Sequence, residues 1–357
     1  MARKIVHVVG TGTIGEPLIG LLCDFRDVLG VDEISFHKNT PMTLDRPKVL
    51  DLIRRGARLA TNDDRFDGFN TLGIKPEFTT EEAIDRATVV IDCTPSGVGH
   101  KNKTRYYERF LHNTNGFIAQ GSEFGFGKMY ARGINDEALV QDEDRFIQVV
   151  SCNTHNLAGI IKTLAMDDAP EDNLISARFV VIRRSNDISQ TDGFVPSPQV
   201  GIHRDDRFGT HHARDAHLLF KTIGLDLNLF SSVIMVNTQF MHVLHFHLTL
   251  KEPTSLQKVI ARVDANMRIA TTDKLDACAV FSFGRDHGHF GRILNQTVIA
   301  VPTLQVSSDG QEITGFCFTP QDGNSLSSSI AAMEWLLYPH SYESKIQSLS
   351  SLFFNEV

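Results

Sequence analysis

Three sets of residues in this sequence have the types and spacing to do chemistry. The stretch VVSCNTHNLAGIIKTLA, residues 149–165, sets Cys152 between a β-branched run and a helical pattern. A thiol at a strand-to-helix junction gains from the amides and positive dipole end of the helix, which stabilise a thiolate nucleophile. Asn153 and Thr154 follow it and add donors near a developing oxyanion, as acyl chemistry needs. Cysteines elsewhere are more often small core residues, and Cys23, Cys93, Cys278 and Cys317 read that way. The second set is Gly10, Gly12 and Gly15, spelling G-T-G-T-I-G between a first strand and a first helix. In that context a glycine turn lets backbone amides approach a pyrophosphate. The third is Lys38 in FHKNTPM, after the second strand. An NAD-selective site places an acid there for the ribose hydroxyls, whereas a lysine can pair with a 2′-phosphate.

Fifteen histidines raise a metal-site reading. Imidazoles two apart on a strand share a face, as in HVLHFH (242–247), and HGH (287–289) is a second dense run. No cysteine pair or carboxylate set completes either, so no metal is expected and structural or surface histidines are the reading. Phe240, Phe246, Phe281 and Phe283 around them read as core.

The elements that must position these residues alternate in the first half. KIVHVVG, EPLIGLLCDF, EISFH, TTEEAIDRA with its opening capping signal, and TVVIDCTP succeed one another as strand and helix patterns. This succession implies a parallel sheet with crossover helices. From about Phe179 the segments RFVVIRR, SSVIMVN, MHVLHFHLTL, NQTVIAVPTLQV and EITGFCF are strand candidates with few helices between them, so a mixed or antiparallel sheet is expected. Residues 185–209 read as a long, functional loop. The 357 residues suit two domains, and 41% hydrophobic with 22% charged residues is ordinary for a globular protein. A net charge of -8 does not advertise nucleic acid or anionic lipid as partner. No apolar run reaches a membrane span, and MARKIVHVVG enters a strand pattern at once, so a cytoplasmic location is expected. Five widely spaced cysteines without a CxxC pair make disulfides unexpected.

The glycine turn, IDCTPSGVGHKNK, AQGSE, SCNT, VIRRSND, HH and FMH, in this order along the chain, resemble the archaeal-type phosphorylating glyceraldehyde-3-phosphate dehydrogenases. The resemblance runs along most of the chain and is strongest from Val89 to Arg184. It implies an α/β protein: a Rossmann NAD(P)-binding domain over 1–150, rejoined by a C-terminal helix over 326–357, and an α+β catalytic domain with a mixed sheet over 151–325. It also implies a homotetramer. Cys152 matches the family nucleophile and His242 of QFMHV the catalytic histidine; Asn153, Thr154, His211 and His212 match substrate-binding positions. Arg183 and Arg184 resemble phosphate-binding positions, Arg183 taken for substrate and Arg184 for cofactor, a division the motif leaves open. Gly10, Gly12, Thr13, Ile14, Gly15, Lys38, Gly121 and Gln321 match cofactor positions.

The activity so implied is oxidation of glyceraldehyde 3-phosphate to 1,3-bisphosphoglycerate with NADP, NAD or both, and with inorganic phosphate. The thiolate adds to the aldehyde, His242 removes the hydroxyl proton, hydride leaves, and phosphate cleaves the thioester. The chain departs from the family pattern at His155 and Asn156 before Leu157, where Thr-Gly-Leu is usual, at Ala213 and Arg214 within HHGPD, and at Ser122 within QGGE. His155 thus adds an imidazole beside the nucleophile, able to tune the thiolate or reshape a phosphate pocket. The alternatives are a related acyl-phosphate reductase such as aspartate-semialdehyde dehydrogenase and a non-catalytic nicotinamide-binding regulator. SCNT and FMH count against the regulator, and the paired histidines with IRR favour a sugar phosphate.

Overall fold

A computed structural model describes residues 3–357 except 122, 167–172, 187–192 and 194. Ser122 and much of the first half of the 185–209 loop therefore lie outside the described residues. The chain divides into two compact units: Met1–Lys128, Leu139–Val149 and Ser328–Leu349 form one, and Met129–Ala138, Val150–Ser327 and Ser350–Val357 the other. Residues 129–138 and 350–357 thus count with the second unit, where the sequence reading grouped them with the first.

The first sheet contains β1 (Ile5–Val9), β2 (Glu33–His37), β3 (Arg58–Thr61), β4 (Phe78–Thr79), β5 (Val89–Asp92), β6 (Gly116–Ala119), β7 (Lys128–Tyr130) and β8 (Phe146–Val149). Their order is β4-β3-β2-β1-β5-β6-β8-β7. The strands from β4 to β8 pair in parallel. β1, β5 and β6 are buried throughout, which explains why they read as continuous apolar runs. The capping signal before β5 is a complete box: the Thr79 side chain accepts from the Glu82 amide, and Glu82 accepts from the Thr79 amide. This is a Rossmann-like α/β sheet with its strand order reversing on either side of β1.

The second sheet has β9 (Leu174–Arg183), β10 (Gln199–Val200), β11 (Leu229–Met235), β12 (His242–Leu250), β13 (Ile269–Thr272), β14 (Thr297–Ala300), β15 (Gln305–Val306) and β16 (Glu312–Thr319). It is mixed, in the order β10-β11-β9-β12-β16-β14-β13, with β15 beside β16. β12 alternates strictly between buried and half-buried residues. His242, Leu244, Phe246 and Leu248 share the buried face; the core there includes Leu157 and Ile161 of the Cys152–Ile161 helix and Leu219 and Phe220 of the His211–Lys221 helix.

Three expectations change. The helix expected over 326–357 is two helices, Gly323–Leu337 and Tyr342–Gln347, separated where Pro339 lacks a donor and disfavours helical backbone before it. Phe240 is 38% exposed with φ +79°, not core. Cys278 is exposed too, on the Ala277–His287 helix; all five cysteines are free thiols. Among the described residues, no helix is long and apolar enough to cross a membrane.

Candidate functional site

Each unit carries its own constellation. In the first, β1 runs into the glycine turn. Gly10 has φ +101°, and a Cβ there would stand 3.0 Å from the Cys93 carbonyl oxygen. A Cβ on Gly15 would collide with the Gly10 carbonyl, whereas one on Gly12 would meet nothing within 4 Å, so the turn is tight at its ends and open in its middle. Thr13 and Ile14 complete it; Gly15 opens the Gly15–Asp24 helix, whose N-cap residue Ile14 makes no side-chain capping bond. Beside the turn lies a cleft of about 590 Å³, bounded by Gly10, Thr11, His37, Lys38, Asn39 and Thr40 on one side and by Thr94, Pro95, Asn102 and Tyr107 on the other. Lys38 follows β2 directly, and its ammonium donates to Asp45 at 2.6 Å.

The opposite wall is organised by Asp92, buried at the end of β5. Its carboxylate accepts from the Tyr107 hydroxyl at 2.5 Å, the Asn102 amide at 2.9 Å, and the Thr94 amide at 2.9 Å. Burial, reinforced by this carboxylate, pushes the Tyr107 phenol well above its ordinary value, so it remains a donor. Gly121 lies in the turn after β6, whose Glu123 accepts from the His100 and Gly97 amides and so caps the Val98–Arg105 helix. Sequence reasoning passed over Asp92, Asn102 and Tyr107; the available signal was the acid at the strand end in VVIDCTP.

In the second unit Cys152 is the first residue of its helix. Ser151 caps that helix by accepting from the Thr154 amide at 3.3 Å, and the two hydroxyls lie 2.9 Å apart. Asn324 donates to the Cys152 carbonyl at 3.0 Å, and Asn153 accepts from Thr319 at 3.2 Å. The Thr154 hydroxyl and Asn153 carbonyl oxygen are therefore engaged within the protein. Thr319 is the cross-strand partner of His242, so this network ties the cysteine's helix to the strand that carries the histidine.

His242 is 5% exposed. The Arg184 backbone N–H donates to its Nδ1 at 3.2 Å. A ring nitrogen that accepts from an amide carries no proton, so the neutral ring has its hydrogen on Nε2. Burial, with Arg184 and Arg183 adding repulsion, pulls this imidazole down to about 3. The Arg184 guanidinium is held by the Phe240 carbonyl at 2.9 Å. Arg183 ends β9, and the His211 and His212 rings lie with centroids 4.0 Å apart, tilted by 47°, at the start of their helix. Both nitrogens of the buried His212, and the Arg183 Nε, have no hydrogen-bond partner among the described residues. Burial first, then His211, Arg183 and His242, hold His212 well below its ordinary value. Gln321 is buried two residues beyond Thr319, in this same unit with Arg184.

His155 is wholly buried: its Nδ1 donates to the Ser151 carbonyl at 3.0 Å, and burial pulls it down to about 4. It pins the strand-to-helix turn as a neutral ring. His245 and His247 occupy the other face of β12, against Thr314 and near Glu312 respectively.

A Rossmann-like cleft in one unit and a cysteine at a helix start with a buried histidine–arginine cluster in the other define a class, the two-unit dinucleotide-fold proteins with a thiol site. No family model matches the chain. Curated proteins named glyceraldehyde-3-phosphate dehydrogenase do: that of Methanopyrus kandleri is 30% identical over 284 residues, 75% of this chain and 73% of the relative. That of Sulfolobus acidocaldarius is 26% identical over 323 residues, covering 88% and 86%, and that of Pyrobaculum islandicum 26% over 279 residues, covering 75% and 72%. The chain belongs to the glyceraldehyde-3-phosphate dehydrogenase family.

Proposed function

We propose that the protein oxidises glyceraldehyde 3-phosphate reversibly to 1,3-bisphosphoglycerate, with NAD or NADP and inorganic phosphate. The observation that carries this reading is the donor cluster of the second unit. The buried, unpartnered nitrogens of His212 and Arg183, with His242 beside them, suit a phosphate-bearing substrate and a phosphate nucleophile. The glycine turn fits a dinucleotide, because it is open at Gly12 and leads straight into the N-terminus of a helix. Gly10, Gly12, Thr13, Ile14, Gly15 and Lys38 would hold the pyrophosphate and ribose. Gly121, Arg184 and Gln321 stay proposed as cofactor contacts on the resemblance alone, and Asn153, Thr154 and His211 as substrate contacts.

The chain's own groups account for the chemistry. The Cys152 thiolate adds to the aldehyde carbon, forming a C–S bond and leaving an alkoxide. His242, with its proton on Nε2, donates to that oxygen; the Arg184 amide on Nδ1 opposes the sequence expectation that it acts as base. When bound, a nicotinamide ring supplies the acceptor for the hydride that leaves the alkoxide, and a thioester on Cys152 results. A phosphate oxygen then attacks the thioester, His242 donates to the second oxyanion, and the C–S bond breaks to restore the thiolate and release the acyl phosphate. A homotetramer stays the proposed assembly on the resemblance alone.

The test is nicotinamide reduction with glyceraldehyde 3-phosphate and with aspartate semialdehyde, using both dinucleotides, with phosphate, with arsenate and with neither. Turnover with the sugar phosphate that depends on phosphate or arsenate is expected. Preference for the semialdehyde, or no turnover with either, would overturn the proposal.

A further inference from the structure

Two lysines at the cleft of the first unit share one carboxylate. Lys38 Nζ lies 2.6 Å from Asp45 Oδ2, and Lys48 Nζ lies 3.0 Å from Asp45 Oδ1. Lys48 also donates to the Thr11 carbonyl in the glycine turn at 3.2 Å and stands 3.9 Å from Glu16. The side chains are 10%, 24% and 27% exposed for Lys38, Asp45 and Lys48, which is too sheltered for the pairs to be fully screened by solvent. Asp45 is fixed by its backbone: it ends the 3-10 turn Thr43–Asp45, donates to the Met42 carbonyl at 3.1 Å, and precedes the Arg46–Arg54 helix with Pro47 in its first turn. Burial alone would raise its carboxyl, but the hydrogen bonds from Lys38 and Lys48 outweigh it and keep it below its ordinary value, so it is an anion at neutral pH.

A carboxylate that accepts from two ammonium groups, one through each oxygen, makes the contacts a phosphate monoester would make. In a Rossmann-like unit the end of β2 faces the adenosine ribose, and Lys38 follows β2. We propose that Asp45 sets the discrimination between the two nicotinamide dinucleotides. Acting as an internal counterion for Lys38 and Lys48, it weakens capture of the 2′-phosphate of NADP while leaving the uncharged 2′-hydroxyl of NAD unopposed. A 2′-phosphate must either displace the carboxylate or sit beside it with the lysines already neutralised. This inference rests on the nicotinamide-dinucleotide reading above.

The experiment measures binding of NAD and of NADP to the full chain by calorimetry at low and moderate salt, for the wild type, Asp45→Asn and Asp45→Ala, with melting curves to show that each variant is folded. The NADP affinity of both variants should rise at least about tenfold relative to NAD, the effect of one unit charge about 3 Å away even when screened as in bulk water. The gain should shrink as salt is added, and Lys48→Ala placed on Asp45→Asn should remove most of it. If both dinucleotides bind and their affinity ratio stays put or moves toward NAD, the role of Asp45 is overturned while the cofactor reading stands. If neither dinucleotide binds the wild type, the cofactor reading falls and this inference with it.

Discussion

His242→Ala and His242→Asn together separate a donor from a base. The value of about 3 for the folded ring against an ordinary 6.5 means that protonating it in place costs about 5 kcal/mol more than in water, at 1.36 kcal/mol per unit. Were the Cys152 thiolate to approach within about 4 Å, it would return only about 4 kcal/mol at an effective dielectric of 20. Protonating Nδ1 would also cost the hydrogen bond from the Arg184 amide, about 1 kcal/mol. The balance favours the neutral ring, so the proposed resting form is a neutral His242 and not a thiolate–imidazolium pair. As an oxyanion donor, His242 should be worth about 10²- to 10³-fold in turnover, the loss expected for His242→Ala. His242→Asn keeps an N–H and should lose less. The sharper assay is alkylation of Cys152 by iodoacetamide across pH: a neutral neighbour does not stabilise the thiolate, so the midpoint should hardly move in His242→Asn. A rise of one unit or more, with Ala and Asn equally impaired, would refute the donor argument and restore the base.

Three further changes test other parts of the reading. Cys152→Ser should keep the fold and dinucleotide binding but abolish aldehyde oxidation, because an alkoxide is much harder to form than a thiolate; near-normal turnover would disprove the nucleophile. His155→Thr should lower stability by about 1–3 kcal/mol through loss of a buried ring and its bond to Ser151, seen in urea unfolding, with turnover per folded molecule nearly intact. Glu334 is fully buried, neither oxygen has a partner among the described residues, and burial pushes it up to about 8 from 4.5 despite Lys345. Its folded value is raised, so its stability is full below the unfolded value and is lost as pH rises through about 8. Glu334→Gln should add about 3 kcal/mol at pH 7 and under about 1 kcal/mol at pH 5. An equal gain at both pH values would show that ionisation is not the cause.

What the sequence disclosed about this fold was local. The β-branched runs became strands, the glycine turn kept its glycines where a Cβ would strike the backbone at Gly10 and Gly15, and the capping box before β5 formed because its partners are three residues apart. What escaped depends on distant neighbours. Asp45 reads as one acid in a polar stretch until folding brings Lys38 against it. His155 looks like an added catalytic imidazole because burial is not written in its four flanking residues; only the helix packing makes it a neutral strut. Phe240 reads as core from its aromatic neighbours, yet its backbone turns to positive φ and offers its carbonyl to Arg184.

The same division bears on the role proposed for His242. FMH is enough to single out the imidazole, but the role turns on which nitrogen carries the proton. That is decided where β9 runs out beside the start of β12: Ile182 pairs with Val243, and the amide of Arg184, one residue past the end of β9, meets Nδ1. The donor is a backbone group, so no substitution at position 184 other than proline removes it, and side-chain motifs carry no trace of it. The arginine side chains that would bind phosphate also repel a proton from this ring, so a pocket rich in cations for the substrate cannot hold a protonated histidine cheaply. A neutral imidazole that donates is the form such a pocket can sustain, and in the proposed reaction it would serve both tetrahedral oxyanions without having to gain or lose a proton between them.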